Sequence, residues 1–192
     1  MKIVDSQIRE LCQGRVPVGI RSFYSALGID IPPALLPMVE PYEPSLVNPA
    51  SIDVRIGESA CIEYLDSGWK DVDLSQFTAE KPYWMLPYPH ERVLVGTLET
   101  FNLPSFIVGI FKLKSSRARE FYQSILAGYA DPGWHGSRLT MELLNFNTDP
   151  MPLYPGLKMG QMAFDLTFGL PSSDYAVTGR YNGDMGAARS KG

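Results

Sequence analysis

Residues 111–145 read FKLKSSRAREFYQSILAGYADPGWHGSRLTMELLN, and the fold turns on how this stretch is read. Just before it, Phe106-Ile107-Val108-Gly109-Ile110-Phe111 is apolar and β-branched, which predicts a strand. Ser115 and Ser116 can cap a helix start, because a serine hydroxyl accepts the orphan amides of a first turn. Arg117–Ser124 then predicts about two turns of helix. Lys112, Lys114, Arg117 and Arg119 place four cations within eight residues. Amides, hydroxyls and cations together suit a phosphate chain; a solvated charged turn fits the same spacing. Pro132-Gly133 marks a tight turn, and Asp131 before proline is pushed into an extended conformation. Leu139–Leu144 predicts a strand on which Glu142 stands between Met141 and Leu143. A carboxylate on a buried strand is costly unless it is used or paired. A solvated strand face is the alternative that alternation leaves open.

Working outward, the 192 residues suffice for one domain with a real core and are short for two. Seventeen glycines and sixteen prolines favour many turns and short strands over helices. A net charge of −4 argues against a broad basic surface for nucleic acid. Two cysteines, Cys12 and Cys61, are too few for a disulfide framework. Met1-Lys2-Ile3-Val4-Asp5 carries no signal-peptide pattern, and no apolar run approaches a membrane span. A reducing, cytoplasmic setting and no membrane partner are therefore the default expectation.

Taken in order, Asp5 is a candidate N-cap for a helix carrying Ile8, Leu11 and Cys12, with Gly14 as its stop. Residues 15–47 hold six prolines and predict an irregular arm with little regular structure. From Ser51 the pattern turns all-β. Ile52, Val54 and Ile56 alternate with Asp53, Arg55 and Gly57, and Cys61–Tyr64 predicts a second short strand. Tyr83–Leu86, Arg92–Glu99, Met151–Tyr154 and Gln161–Leu166 predict further strands; residues 72–77 are ambiguous. Residues 171–192, rich in Gly, Ser, Asp and Ala, read as a mobile tail. The organisation expected is an N-terminal helix and proline-rich arm over 1–47, a β core over 48–170 and a mobile lid over 171–192. Short strands, frequent turns and one short central helix point to a mainly β jelly roll or barrel.

Five segments together resemble the dCTP deaminases of the trimeric dUTPase-like superfamily. They are Asn48–Gly57 (NPASIDVRIG), Ser115–Arg119 (SSRAR), Ala127–Asn145 (AGYADPGWHG followed by SRLTMELLN), Tyr154–Met162 (YPGLKMGQM) and Gly179–Gly183 (GRYNG). They occur in the family's order and span nearly the whole chain. The resemblance implies a distorted jelly roll of the dUTPase-like type, assembled as a homotrimer with active sites between subunits. It also implies dCTP or dUTP as the bound nucleotide, with Mg2+ bridging the phosphates and no direct protein ligand to the metal.

Adding water at C4 of cytosine with zinc uses an H-x-E…P-C-x-x-C ligand signature. This sequence lacks it, so deamination here is expected to proceed without zinc. A single carboxylate must then take a proton from water and return it, which works best when burial lifts its pKa toward neutrality. By resemblance that group is Glu142 in LTMEL. Ser115 and Arg119 match the serine and second arginine of the family's turn, which hold the water and the phosphates. Ala127 would offer backbone groups to the base. Asp131 would contact the sugar or, as in a dUTPase, help to activate water. Tyr175 and Arg180 would close over the triphosphate. Lys114, Ser116, Tyr129, Trp134 and Gln161 complete the implied contacts. Three positions depart from the family pattern: Lys114 replaces an arginine and loses its bidentate geometry, Tyr129 stands in an altered GYAD segment, and Asp184 stands where glutamine is common. An anion near phosphates is unfavourable unless it meets an amino group or a metal. The resemblance implies conversion of dCTP to dUTP and ammonia; hydrolysis of dUTP, alone or joined to deamination, and nucleotide-binding regulation without catalysis are the alternatives.

Overall fold

Ser51–Tyr64 forms one 14-residue strand, β3, where alternation alone suggested two shorter pieces. The computed structural model describes residues 1–125 and 127–192. Ahead of β3 stand the short strands β1 (Val39–Glu40) and β2 (Val47–Asn48). After it come β4 (Gly68–Asp73), β5 (Tyr83–Met85), β6 (Glu91–Asn102), β7 (Ile107–Leu113), β8 (Tyr122–Ser124), β9 (Tyr129–Ala130), β10 (His135–Asn145), β11 (Met151–Leu153) and β12 (Lys158–Leu166). The main path of the curled sheet runs β8-β10-β6-β3-β12-β7-β9, with β1 beside β6 and both β2 and β4 beside β3. Strands β11 and β5 form a separate pair. All the pairings are antiparallel, as expected for strands that bury one face and alternate. Ile52, Val54, Ile56, Phe101, Met162 and Phe164 fill the interior. Burial of each such side chain contributes about 1.5–3 kcal/mol.

Four helices accompany the sheet among the described residues: α1 (Asp5–Cys12), α2 (Val18–Ala26), α3 (Ser115–Arg119) and α4 (Tyr175–Thr178). Asp5 is the first residue of α1 and not its cap; Val4 holds that position, and its amide donates to Gln7 Oε1 at 3.1 Å. Cys12 is buried as expected. The proline-rich arm is more ordered than its composition suggested. Pro17 stands at the start of α2, where its missing N–H costs nothing, and Ile20 and Tyr24 bury one face. The Tyr24 hydroxyl donates to Thr167 O at 2.7 Å, which ties this helix to the far end of β12.

Helix α3 is also shorter than expected. It ends at Arg119, Phe121 adopts φ 67°, and residues 122–124 form β8. Tyr122 is the reason: its ring is buried, and its hydroxyl donates to Pro152 O at 2.6 Å. Tertiary packing outweighs helical propensity there. Neither Ser115 nor Ser116 caps α3; Lys114 occupies the cap position without a side-chain bond.

The feature that shapes the sheet lies in β6. Arg138 pairs with Thr100 and Thr140 with Gly96, so two steps along β10 face four along β6. Surplus residues in one strand remove ladder bonds, and two buried side chains of β6 replace them. Thr97 Oγ1 accepts the Leu139 amide at 3.0 Å and donates to Glu99 O at 2.7 Å. The Glu99 carboxylate accepts the Arg55 amide at 2.9 Å and Arg55 Nε at 2.7 Å. Glu99 is fully buried and Arg55 nearly so. Removing Glu99 leaves the largely buried Arg55 with only the more exposed Glu43 to compensate its charge. Glu99→Gln is therefore expected to lower stability by about 3 kcal/mol, read as a fall in Tm of roughly 6–12 °C. A loss below about 1 kcal/mol would show that the pair behaves like an exposed one.

Candidate active site

Alternation along β10 points Met141 and Leu143 into the core, each 1% exposed. Glu142 therefore turns to the opposite face. That face is not open solvent but a cavity of about 590 Å³. Strand β10 contributes Arg138, Leu139, Thr140 and Glu142 to it, and the segment around β9 contributes Ala127, Tyr129, Ala130, Asp131 and Trp134. Trp69 of β4 and Leu94 of β6 close one side, and Tyr175, Tyr181, Asp184, Ala188 and Ser190 of the C-terminal segment cover it.

Burial pushes the Glu142 carboxyl above the usual glutamate range; the amides of Glu142 itself and Ala127, which bond to it, pull it only partly back. Its backbone is fixed by the Ile125 amide, which donates to Glu142 O at 3.0 Å. An acid whose pKa is raised by its surroundings is one suited to exchanging protons near neutral pH. Trp134 is largely structural: its ring stacks on Phe101 with centroids 5.6 Å apart, and its indole N–H donates to Tyr181 O at 3.4 Å.

The C-terminal segment, read from composition as mobile, is tied down along its length. Gly183 N donates to Ser137 Oγ at 2.8 Å, Arg138 N to Asp184 O at 2.7 Å, and Ala188 N to Thr140 Oγ1 at 3.0 Å. Gly96 and Gly186 let the two backbones touch: a Cβ on Gly96 would lie 3.2 Å from Ala187 N. Asp184, an unfavourable anion beside phosphates unless paired, meets the Lys191 ammonium at 2.8 Å. Arg180 is exposed and does not line the cavity. The anchoring guanidinium of this segment is instead Arg189, which pairs with Asp71 at 2.6 Å and lies over the Trp69 ring.

Of the residues expected from sequence, the structure gathers Glu142, Ala127, Tyr129, Asp131, Trp134 and Tyr175 around one cavity. It does not bring Ser115, Ser116, Arg119, Lys114 or Gln161 to it. Arg119 Nη1 lies 3.4 Å from Ser115 Oγ, and both residues are exposed. Lys114 is engaged elsewhere, donating to buried Asp53 at 2.6 Å; Gln161 reaches the same carboxylate at 3.5 Å. Sequence reasoning missed Trp69, Arg138, Thr140 and Tyr181. Arg138 and Thr140 were findable, because they share the Glu142 face of β10 by simple alternation. Trp69 arrives from a separate hairpin and has no local signal. Among the described residues, no three His, Cys, Asp or Glu side chains lie together as metal ligands, and no helix is long and apolar enough to cross a membrane.

The Glu142 shift carries a stability consequence. A carboxyl with a folded pKa above its unfolded value stabilises the fold at low pH, and that stability is lost as pH rises through the folded pKa. Glu142→Gln should therefore match or exceed the parent Tm at pH 7, with the difference shrinking below about pH 4. A mutant clearly less stable at pH 7 would mean that the carboxylate is paired in the fold and not merely buried.

Comparison with known proteins identifies the family. A family model described as dCTP deaminase-like matches residues 36–167. The chain is 34% identical over 164 residues to the dCTP deaminase, dUMP-forming, of Streptomyces griseus, covering 80% of this chain and 85% of that one. It is 34% identical over 168 residues to the protein of the same name from Pseudarthrobacter chlorophenolicus, covering 80% and 86%. The crystal structure of 2'-deoxycytidine 5'-triphosphate deaminase from Agrobacterium tumefaciens matches with a TM-score of 0.58 at 17% identity, over 86% of this chain and 48% of that one. At that identity the likeness speaks for the fold, and it agrees with the distorted jelly roll expected from the motifs. With a family match across most of its length and relatives at this identity, the chain belongs to the dCTP deaminase-like family.

Proposed function

We propose that the protein hydrolytically deaminates dCTP in this cavity, with Glu142 as the proton-transfer group. The observation that carries the reading is the half-buried carboxyl of Glu142, held above its ordinary pKa inside a cavity large enough for a nucleotide. In the reaction, Glu142 takes a proton from water as the oxygen adds to C4. It passes that proton to N3, and a further transfer lets the amino group leave as ammonia, producing a uracil ring. Zinc has no part in this reading; the sequence lacks the Cys and His ligand signature that zinc deamination uses.

The product that the motif resemblance implies is dUTP. Two observations favour carrying the reaction on to dUMP. The relatives at 34% identity are named dUMP-forming, and Asp131 lines the same cavity as Glu142, where it could activate a second water against the triphosphate. Magnesium would accompany the triphosphate and neutralise charge developing on the phosphates. The cavity offers carboxylate oxygens from Asp131 and Asp184, and Asp184 is already paired with Lys191. The donor set therefore fits an ion held mainly by the phosphates and only lightly by the protein.

A homotrimer completes the reading. Ser115, Ser116 and Arg119 are exposed and lie outside the cavity of their own chain. Phe121 and Ile125, which flank β8, are 59% and 57% exposed, and such apolar edges are common at subunit contacts. A neighbouring copy could therefore bring the α3 serines and arginine to the Glu142 cavity. Light scattering at micromolar concentration should give three times the chain mass; a monomer would sink this part.

Incubation with dCTP and magnesium, with dUTP, dUMP and ammonia separated, tests the activity. We expect ammonia and dUMP. Glu142→Gln should lower ammonia release by about 10³-fold or more while nucleotide still binds. Asp131→Asn should leave deamination in place and accumulate dUTP. Parent protein that releases dUTP alone would return the end product to dUTP. Parent protein that binds dCTP and releases nothing would make it a nucleotide-binding regulator.

A further inference from the structure

We propose that Arg138 is a substrate-binding residue whose guanidinium takes a phosphoryl oxygen of the bound nucleotide. The proposal rests on the reading of the cavity as a dCTP site and adds a contact that the family motifs do not supply. Arg138 lines the cavity on the same face of β10 as Thr140 and Glu142. Its Nε–H is fully buried and has no acceptor among the described residues. A buried donor left unpaired costs free energy, and more when it belongs to a charged group. The Arg138 side chain lines the cavity, so a ligand that draws the guanidinium forward can supply the missing acceptor.

The residue is also held in place more firmly than a surface arginine. Its amide donates to Asp184 O at 2.7 Å. On one side Ser137 is fully buried, with its hydroxyl donating to Tyr181 O at 2.8 Å; on the other the Leu139 amide donates to Thr97 Oγ1 at 3.0 Å. The backbone of Arg138 is thus fixed from both strands and from the C-terminal segment. Asp184, whose carbonyl accepts that amide, has its carboxylate neutralised by Lys191. Position along the strand indicates which part of the nucleotide it meets. Arg138 stands four residues from Glu142, roughly 13 Å at about 3.3 Å per residue. That separation is too long for two contacts on one pyrimidine ring. With C4 at Glu142, the sugar–phosphate end of the nucleotide extends toward Arg138. A planar guanidinium there suits phosphoryl oxygens in a way that an ammonium does not.

The test is binding, measured by calorimetry in the Glu142→Gln background so that turnover does not interfere. Arg138→Gln should weaken dCTP by about tenfold or more while leaving 2'-deoxycytidine, which has no phosphate, within about twofold. Arg138→Lys should recover part of the loss, since it keeps the charge and loses the fork. In the otherwise unaltered enzyme, Arg138→Gln should raise KM more than it lowers kcat. Unfolding curves should show Arg138→Gln as stable as the parent, because among the described residues the side chain has no partner at Nε to lose. Equal dCTP affinity in Arg138→Gln and its parent would overturn the proposal. An equal loss for dCTP and 2'-deoxycytidine would also overturn it, by moving the contact to the base or sugar. If the Glu142→Gln protein binds no dCTP at all, the cavity reading itself falls, and the Arg138 assignment falls with it.

Discussion

The geometry of the cavity depends on what replaces the ladder hydrogen bonds where β6 carries surplus residues. Between Gly96 and Thr100 this strand cannot pair regularly with β10, and a similar mismatch separates Ile56 from Ala60 on β3. An unpaired stretch in the middle of a sheet would leave buried amides and carbonyls without partners, each costing about 1–3 kcal/mol. Thr97 and Glu99 meet that demand with side-chain oxygens, one toward β10 and one toward β3. The arrangement leaves β10 displaced against β6, so that Arg138, Leu139 and Thr140 all face the cavity with Glu142. A regular ladder would have returned Leu139 to the core face with Ser137 and Met141.

The same arrangement explains why one acid in the cavity stands apart. Glu91 and Glu99 are buried but saturated: Glu91 accepts from the Tyr83 hydroxyl at 2.8 Å and the Leu86 amide at 2.8 Å, and Glu99 holds Arg55. Asp184 has its lysine. Glu142 has no cation partner among the described residues, only the amides of Glu142 itself and of Ala127, and so its pKa moves in the direction set by burial. Glu91, Glu99 and Asp184 are each paired, whereas Glu142 is met only by backbone amides among the described residues. That contrast supports the proposed proton-exchange role of Glu142.

Much of this was legible in the sequence, and the rest was hidden for identifiable reasons. The run LTMELLN placed Glu142 on a strand between two core residues, and alternation alone would have carried the same face back to Thr140 and Arg138. The ADPGW turn placed Asp131 and Trp134 beside it. Helix α2 was obscured because Pro17 looks like a breaker and acts as a start. Helix α3 was overestimated because nothing local shows that Tyr122 is claimed by Pro152 of the distant strand β11. The C-terminal segment looked mobile because its side chains bury little. What holds it is mostly backbone, Gly183, Asp184 and Ala188 bonding along β10, and backbone bonds leave no mark on composition.

The cations of the central stretch raise a different problem, since sequence treats all of them as available. In the fold, burial alone would raise the carboxyl of Asp53, but bonds from Lys114, Asn48 and Lys158 outweigh it and hold the group below the usual aspartate range. Lys114 lies 2.6 Å from one Asp53 oxygen and Lys158 3.3 Å from the other. One carboxylate thus answers two ammonium groups, and a single positive charge remains uncompensated. A phosphate approaching Lys114 must compete with a nearly buried carboxylate for the same three protons. A lysine can share those protons between two acceptors because its ammonium is a point charge with rotating donors. An arginine locked bidentately to Asp53 would have no fork left to offer. The replacement of the family's arginine by Lys114 is therefore compatible with phosphate contact only because Asp53 leaves the cluster net positive. In any such contact Lys114 would offer a weaker, less directional grip than the arginine of the motif.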